Sequence, residues 1–115
     1  MSRRDDRVSI RQMLDHARDA IQFAGGKSSS EIEGDRLLSL AIVRLLEVMG
    51  EAANRVTPAT RNRFPDVPWR TATNLRNRLI HGYDVVDYDI VVDIIENDLP
   101  ALIERLEQIL ASIES

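Results

Sequence analysis

The 115-residue chain contains no cysteine. That excludes a disulfide framework, a thiolate metal site and a thiol nucleophile, and it suits a reducing compartment. Histidine is scarce as well: only His16 and His81 are present, far apart, which argues against a zinc site. No apolar run approaches the roughly 18–20 residues that span a bilayer. The opening Met1-Ser2-Arg3-Arg4-Asp5-Asp6 leads into an amphipathic segment and not into an apolar signal core, so the expected location is cytoplasmic, with no membrane partner. Lysine is nearly missing. Lys27 stands alone, and every other basic residue is an arginine, whose planar guanidinium can grip a phosphate with two prongs. There is no internal repeat, and no low-complexity stretch beyond Ser28-Ser29-Ser30.

What is present describes one globular domain over residues 1–115. Apolar residues make up 43%, too many for disorder, and the length allows a real core. The net charge of -4 argues against generic coating of nucleic acid, but its distribution is uneven. Residues 54–83 carry six arginines against Asp66 alone, whereas residues 84–115 carry nine acids against Arg105 alone. A basic middle can meet a phosphate backbone that the acidic C-terminal third repels; solvated helix faces would give the same pattern.

The periodicity predicts an all-α chain with no strand. Ile10, Met13, Leu14, Ala17, Ile21 and Ala24 form one stripe, placing a first helix over 6–24 that Gly25-Gly26 stops. A second helix is expected over 30–55. Leu37, Leu38, Ala41, Leu45, Val48, Met49 and Ala52 form its main stripe, and Ile42, Val43 and Leu46 widen it to the breadth of a central helix or an oligomer interface. Gly50 interrupts that stripe, which suggests close helix packing. Thr57-Pro58 reads as the cap and first position of a short helix ending before Pro65. A helix starting at Pro68 then runs to Gly82, with Trp69 as a core anchor. Asp87 caps the next helix, with Val86 and Val91 as a staple. Asp98-Leu99-Pro100 predicts a kink, or a restart capped by Asp98, before a last stripe from Leu102 to Ile113. Short connections between long helices argue for an antiparallel bundle.

The rarest residue types gather in Leu75-Arg76-Asn77-Arg78-Leu79-Ile80-His81-Gly82-Tyr83. On a continuous helix Asn77 and His81 stack four apart, Arg78 lies near His81, and Leu75 and Leu79 face the core. Arg76 stands about 140° from His81 at about 100° per residue. Histidine moves protons near neutral pH, an arginine beside it stabilises charge on phosphate oxygens, and Asn77 can orient the imidazole. The chemistry suggested is metal-free work on a phosphate, such as RNA cleavage through its own 2'-hydroxyl. A basic helix surface ending in a histidine, with no catalytic role, has the same composition. His16 reads as a surface histidine.

Arg76, four residues, His81, one residue and Tyr83 resemble the Arg-x4-6-His motif, extended by x-Tyr, of the HEPN domain proteins, and more closely of the HepT-like ribonuclease toxins. Gly50-Glu51-Ala52, Pro68-Trp69 and Asn97-Asp98-Leu99-Pro100 match in order around it, so the resemblance spans nearly the whole chain. Asn74-Leu75 departs from the Gly-Met often found before the motif arginine. The resemblance implies an all-α, HEPN-type antiparallel bundle of about five helices and a homodimer whose two motif helices share a cleft. It implies a metal-independent RNA endonuclease without cofactor, in which Arg76 polarises the scissile phosphate and His81 is the acid–base, leaving a 2',3'-cyclic phosphate. Asn77 would orient the site, and Arg78 and Arg70 would contact RNA. It also implies a partner, an MntA-like nucleotidyltransferase antitoxin that places AMP on Tyr83. The competing expectations are a non-catalytic HEPN module that docks such a nucleotidyltransferase, and a helical oligomerisation domain whose motif has lost its function.

Overall fold

A computed structural model of the chain describes residues 5–81 and 85–114, and at His81 and Glu114 the backbone alone. Helix α1 (Asp6–Ala24) begins where Asp5 accepts a bond from the Arg7 amide, and it ends where Gly25 and Gly26 turn to positive φ (53° and 77°). These are the boundaries its stripe and its glycines predict. A left-handed turn there suits glycine because it has no Cβ to clash.

The expected second helix is two. Helix α2 (Ser29–Gly34) is closed at its start by a capping box between Ser28 and Glu31. Helix α3 (Arg36–Arg55) starts afresh at Asp35, which is extended (φ -108°, ψ 100°) and accepts the Leu38 amide. Glycine is a poor helix former and aspartate a good cap, so the backbone breaks at Gly34-Asp35, ahead of the apolar stripe that starts at Leu37.

Helix α4 (Pro58–Arg63) follows its Thr57 cap. Asp6 in the first turn of α1 accepts from the Thr57 amide (3.1 Å) and from the hydroxyls of Thr57 (2.6 Å) and Thr60 (2.5 Å). The start of α1 therefore lies at the end of α3, which makes the two helices antiparallel. They pack along their length through Ile10, Met13, Leu14 and Ala17 against Ile42, Leu46, Met49 and Ala53, all buried. Each of the isoleucine, leucine and methionine side chains contributes about 1.5–3 kcal/mol by leaving water, and the alanines less.

Helices α5 (Trp69–Thr73) and α6 (Leu75–Leu79) lean on α3. Gly50 makes this approach possible, since a Cβ there would lie 3.1 Å from the Ala72 carbonyl oxygen. A two-residue ladder follows, which the all-helical reading of this stretch did not foresee: β1 (Ile80–His81) runs antiparallel to β2 (Val85–Val86), with Ile80 opposite Val86 and His81 opposite Val85. Helix α7 (Tyr88–Asp93) carries the expected Asp87 cap.

The Asp98-Leu99-Pro100 signal resolves differently from a restart. Residues Ile94–Asp98 form a π turn that runs without a break into α8 (Leu99–Glu114), and the Leu99 amide donates to the Ile94 carbonyl five residues back. Proline at 100 has no amide for a regular ladder, and a widened turn absorbs the mismatch. Asp98 lies inside this continuous helical run, and its carboxylate pairs with Arg78. α8 packs on α1, where Arg18 and Glu107 form an ion pair. The eight helices among the described residues form an all-α bundle.

Candidate functional site

Helices α5 and α6 each contain five residues, about one turn and too short to be stable alone. Tertiary contacts hold them. Trp69 is buried, and its indole Nε1 donates to the Phe64 carbonyl at 3.0 Å, which is the core anchor expected of it. Leu75 and Leu79 are buried as well, as their spacing predicts. The chain breaks at Asn74 (φ -98°, ψ 11°) and leaves the helix for good at Ile80 (φ -113°, ψ 120°).

That exit corrects the single helix reaching Gly82. His81 lies on β1 and not on the motif helix, so Asn77 and His81 do not stack one turn apart, and Arg78 is not one turn below His81. β-branched Ile80, Val85 and Val86 favour the extended form, and the Asp87 amide closes the neck of the hairpin on the Leu79 carbonyl at 2.9 Å. Asn77 turns back along its own helix, its Nδ2 donating to Asn74 Oδ1 at 2.8 Å. Tyr83 lies outside the described residues, as does the side chain of His81.

Arg76 projects from α6 with 70% of its side chain exposed. It lines a shallow cleft of about 230 Å³ with Asn77, Thr73, Glu47, Gly50, Glu51 and Asn54. Arg78 faces the other way. It pairs with Asp98 at 3.0 Å on the rim of a second groove, of about 410 Å³, between α5–α6 and α8. A second ion pair, Arg105 with Asp66, flanks that groove, and the Arg105 guanidinium holds the Asp66 carboxyl below the usual carboxylate range. The two motif arginines thus serve opposite sides of α6. Arg70 is exposed on α5 and lines neither groove.

Sequence reasoning missed Glu47. Its Oε2 lies 3.4 Å from Arg76 Nε, and its Oε1 is 4.0 Å from Arg44 Nη1, which also donates to Glu51 Oε1 at 3.5 Å. The spacing of Arg44, Glu47 and Glu51 signals pairing along α3; the link across to α6 has no local signature. His16 is half-buried with Nδ1 2.7 Å from the Gln12 carbonyl oxygen, a local helix contact. Among the described residues no three histidine, aspartate or glutamate side chains gather as metal ligands, and no helix is long and apolar enough to cross a membrane.

The all-α bundle carries a short, externally braced helix that presents an arginine and runs directly into the histidine-bearing strand, an arrangement consistent with a HEPN-type domain. The sequence profile described as "Ribonuclease HepT-like" matches residues 13–109, and the chain belongs to that family. Two proteins of Methanocaldococcus jannaschii, "Putative RNase MJ0127" and "Putative RNase MJ1380", are each 34% identical to it. The first alignment covers 99% of this chain and 94% of the relative, the second 93% and 98%. "Probable ribonuclease HepT" of Thermococcus cleftensis is 31% identical over 65% of this chain and 68% of its own. No solved structure matches the chain.

Proposed function

We propose that the chain is a metal-independent endoribonuclease, the toxin of a HepT/MntA-like toxin–antitoxin pair. The observation that carries this reading is the exposed Arg76 guanidinium in its own cleft, on a helix whose end delivers His81 within five residues. Arg76 binds a non-bridging oxygen of the scissile phosphate and offsets the charge that builds on it. His81 takes the proton of the 2'-hydroxyl, and the 2'-oxygen attacks phosphorus. The bond from phosphorus to the 5'-oxygen breaks, and an imidazolium returns a proton to that leaving oxygen. The products are a 2',3'-cyclic phosphate and a 5'-hydroxyl. One motif histidine per chain supplies base and acid together in a homodimer.

The face suited to that dimer is the outer seam of α3. Leu37 and Leu40 stand 83% and 52% exposed there, in line with Arg44, Glu47 and Glu51 on the same helix. The antitoxin is a nucleotidyltransferase that transfers AMP to Tyr83. The added phosphate charge would crowd the arginine cleft and exclude RNA.

Purified protein should cleave RNA in EDTA, and His81→Ala and Arg76→Ala should each abolish cleavage. A requirement for added divalent metal would overturn the mechanism. Glu47 and Glu51 in the arginine cleft favour the second reading, a non-catalytic module that docks a nucleotidyltransferase. That reading predicts a tight complex and no cleavage by the unmodified protein.

A further inference from the structure

We infer that Glu47 is a positioning residue for Arg76, holding the guanidinium by its Nε edge so that the two terminal nitrogens remain presented to a phosphate. This rests on the ribonuclease reading of Arg76. The contact between Arg76 and Glu47 is made through Nε and Oε2 at 3.4 Å, and Arg76 has no other charged partner among the described residues. Phosphate recognition by arginine uses parallel N–H donors in a fixed fork. A carboxylate on the Nε side, here an ion pair and not a directed hydrogen bond, draws the guanidinium toward α3 by charge and leaves its terminal nitrogens open.

The two partners are unequally seated. Glu47 is 20% exposed on the middle of a twenty-residue helix, whereas Arg76 is 70% exposed on a five-residue one. The carboxylate is therefore the fixed point and the cation the free end. Glu47 is itself steadied from behind by Arg44, which Glu51 holds in turn. Arginine carries several rotatable bonds and loses considerable freedom when it is fixed. On so short a helix a tether from outside is the means of limiting that freedom before RNA arrives.

A carboxylate this close to the phosphate site also repels RNA, and this gives the idea a signature. Losing the tether should impair the chemical step while binding stays the same or tightens. A residue needed only for folding has no such split. For Glu47→Gln, which keeps the side-chain shape and helix propensity, we expect kcat to fall about ten- to a hundredfold, the range set by small misplacements of a catalytic group. KM for a short RNA should be unchanged or lower, and Tm should stay within about 2 °C because an exposed ion pair adds little to stability. Glu47→Asp, whose carboxylate is one methylene shorter, should recover part of the lost kcat.

The double variant Arg76→Lys, Glu47→Gln should match Arg76→Lys alone, since lysine has no Nε edge to hold. An unchanged or raised kcat in Glu47→Gln, with Arg76→Ala inactive, overturns the positioning role and leaves the ribonuclease reading standing. Full activity in Arg76→Ala overturns both. A fall in kcat of Glu47→Gln accompanied by an equal fall in the Arg76→Lys background shows that Glu47 acts elsewhere, and it also overturns the inference.

Discussion

The contact at Gly50 can be tested by adding one methyl group. In Gly50→Ala the new Cβ would sit 3.1 Å from the Ala72 carbonyl oxygen and 3.6 Å from Leu75 Cβ. Ordinary contacts begin near 3.4 Å, so α5 must retreat by about 0.3 Å. Overfilling a packed contact costs about 1–3 kcal/mol, while alanine gains about 1 kcal/mol over glycine inside a helix. The net is a destabilisation of up to about 2 kcal/mol. At about 4 °C per kcal/mol for a domain of this size, Tm should fall by up to about 8 °C. Gly50→Leu adds more volume against the same carbonyl and should fall further. Gly50 also lines the Arg76 cleft, so a retreat of α5 carries α6 with it, and RNA cleavage per folded molecule should drop in the same order. Thermal melts by circular dichroism read the first effect and initial cleavage rates the second. A Tm raised by about 4 °C in Gly50→Ala, as on an open helix face, would refute the close crossing of α3 and α5 and with it the placement of the arginine cleft.

Other perturbations test the rest of the reasoning. Burial pushes the Asp6 carboxyl up, but the bonds from Thr57 and Thr60 outweigh it and hold its pKa below the usual value. A depressed carboxylate stabilises the fold above its unfolded value near about 3.9, and that contribution is lost as pH falls through the folded value. Asp6→Ala should therefore lose about 2 kcal/mol at pH 7, a discounted figure because water reaches the group. Its Tm gap from the wild type should hold steady down to about pH 5 and shrink below about pH 4; a gap independent of pH would contradict the assigned bonds. Leu37→Glu with Leu40→Glu should shift the protein toward monomer in analytical ultracentrifugation and reduce cleavage most at low protein concentration. A wild-type monomer that cleaves RNA at full rate would remove the need for a shared cleft.

Local signals with a chemical cause were legible in the sequence. Gly25-Gly26, Thr57-Pro58 and Asp87 end or begin helices because their own backbones and side chains favour it, and the structure puts the boundaries there. Errors arose where a strong apolar period masked such a signal or where distant contacts decided the outcome. Gly34-Asp35 has the composition of a break, but the capped start near Ser30 and the stripe from Leu37 onward carry a pattern reading across it. The exit at Ile80 depends on Val85 and Val86 returning to pair with it, and nothing between Leu75 and Leu79 encodes that. Arg76 stood out through its neighbours in the chain. Glu47, 29 positions earlier, becomes relevant only when α6 lies across α3.

The π turn at Ile94–Asp98 acts as a phase adjustment between two halves of the molecule. A π turn is an α-helix with one residue inserted, and each residue of an α-helix turns the chain by about 100° and advances it about 1.5 Å. Everything before the turn, including α7 and the hairpin that follows the motif helix, is thereby set at a fixed rotation to α8. Ile94, Ile95 and Leu99 can all face the core across it, and Asp98 comes round to Arg78. Loss of one residue from this segment would remove the extra rotation and turn Asp98 away from α6. The alignment of the arginine-bearing helix therefore depends on chain length at a point some twenty residues downstream of it.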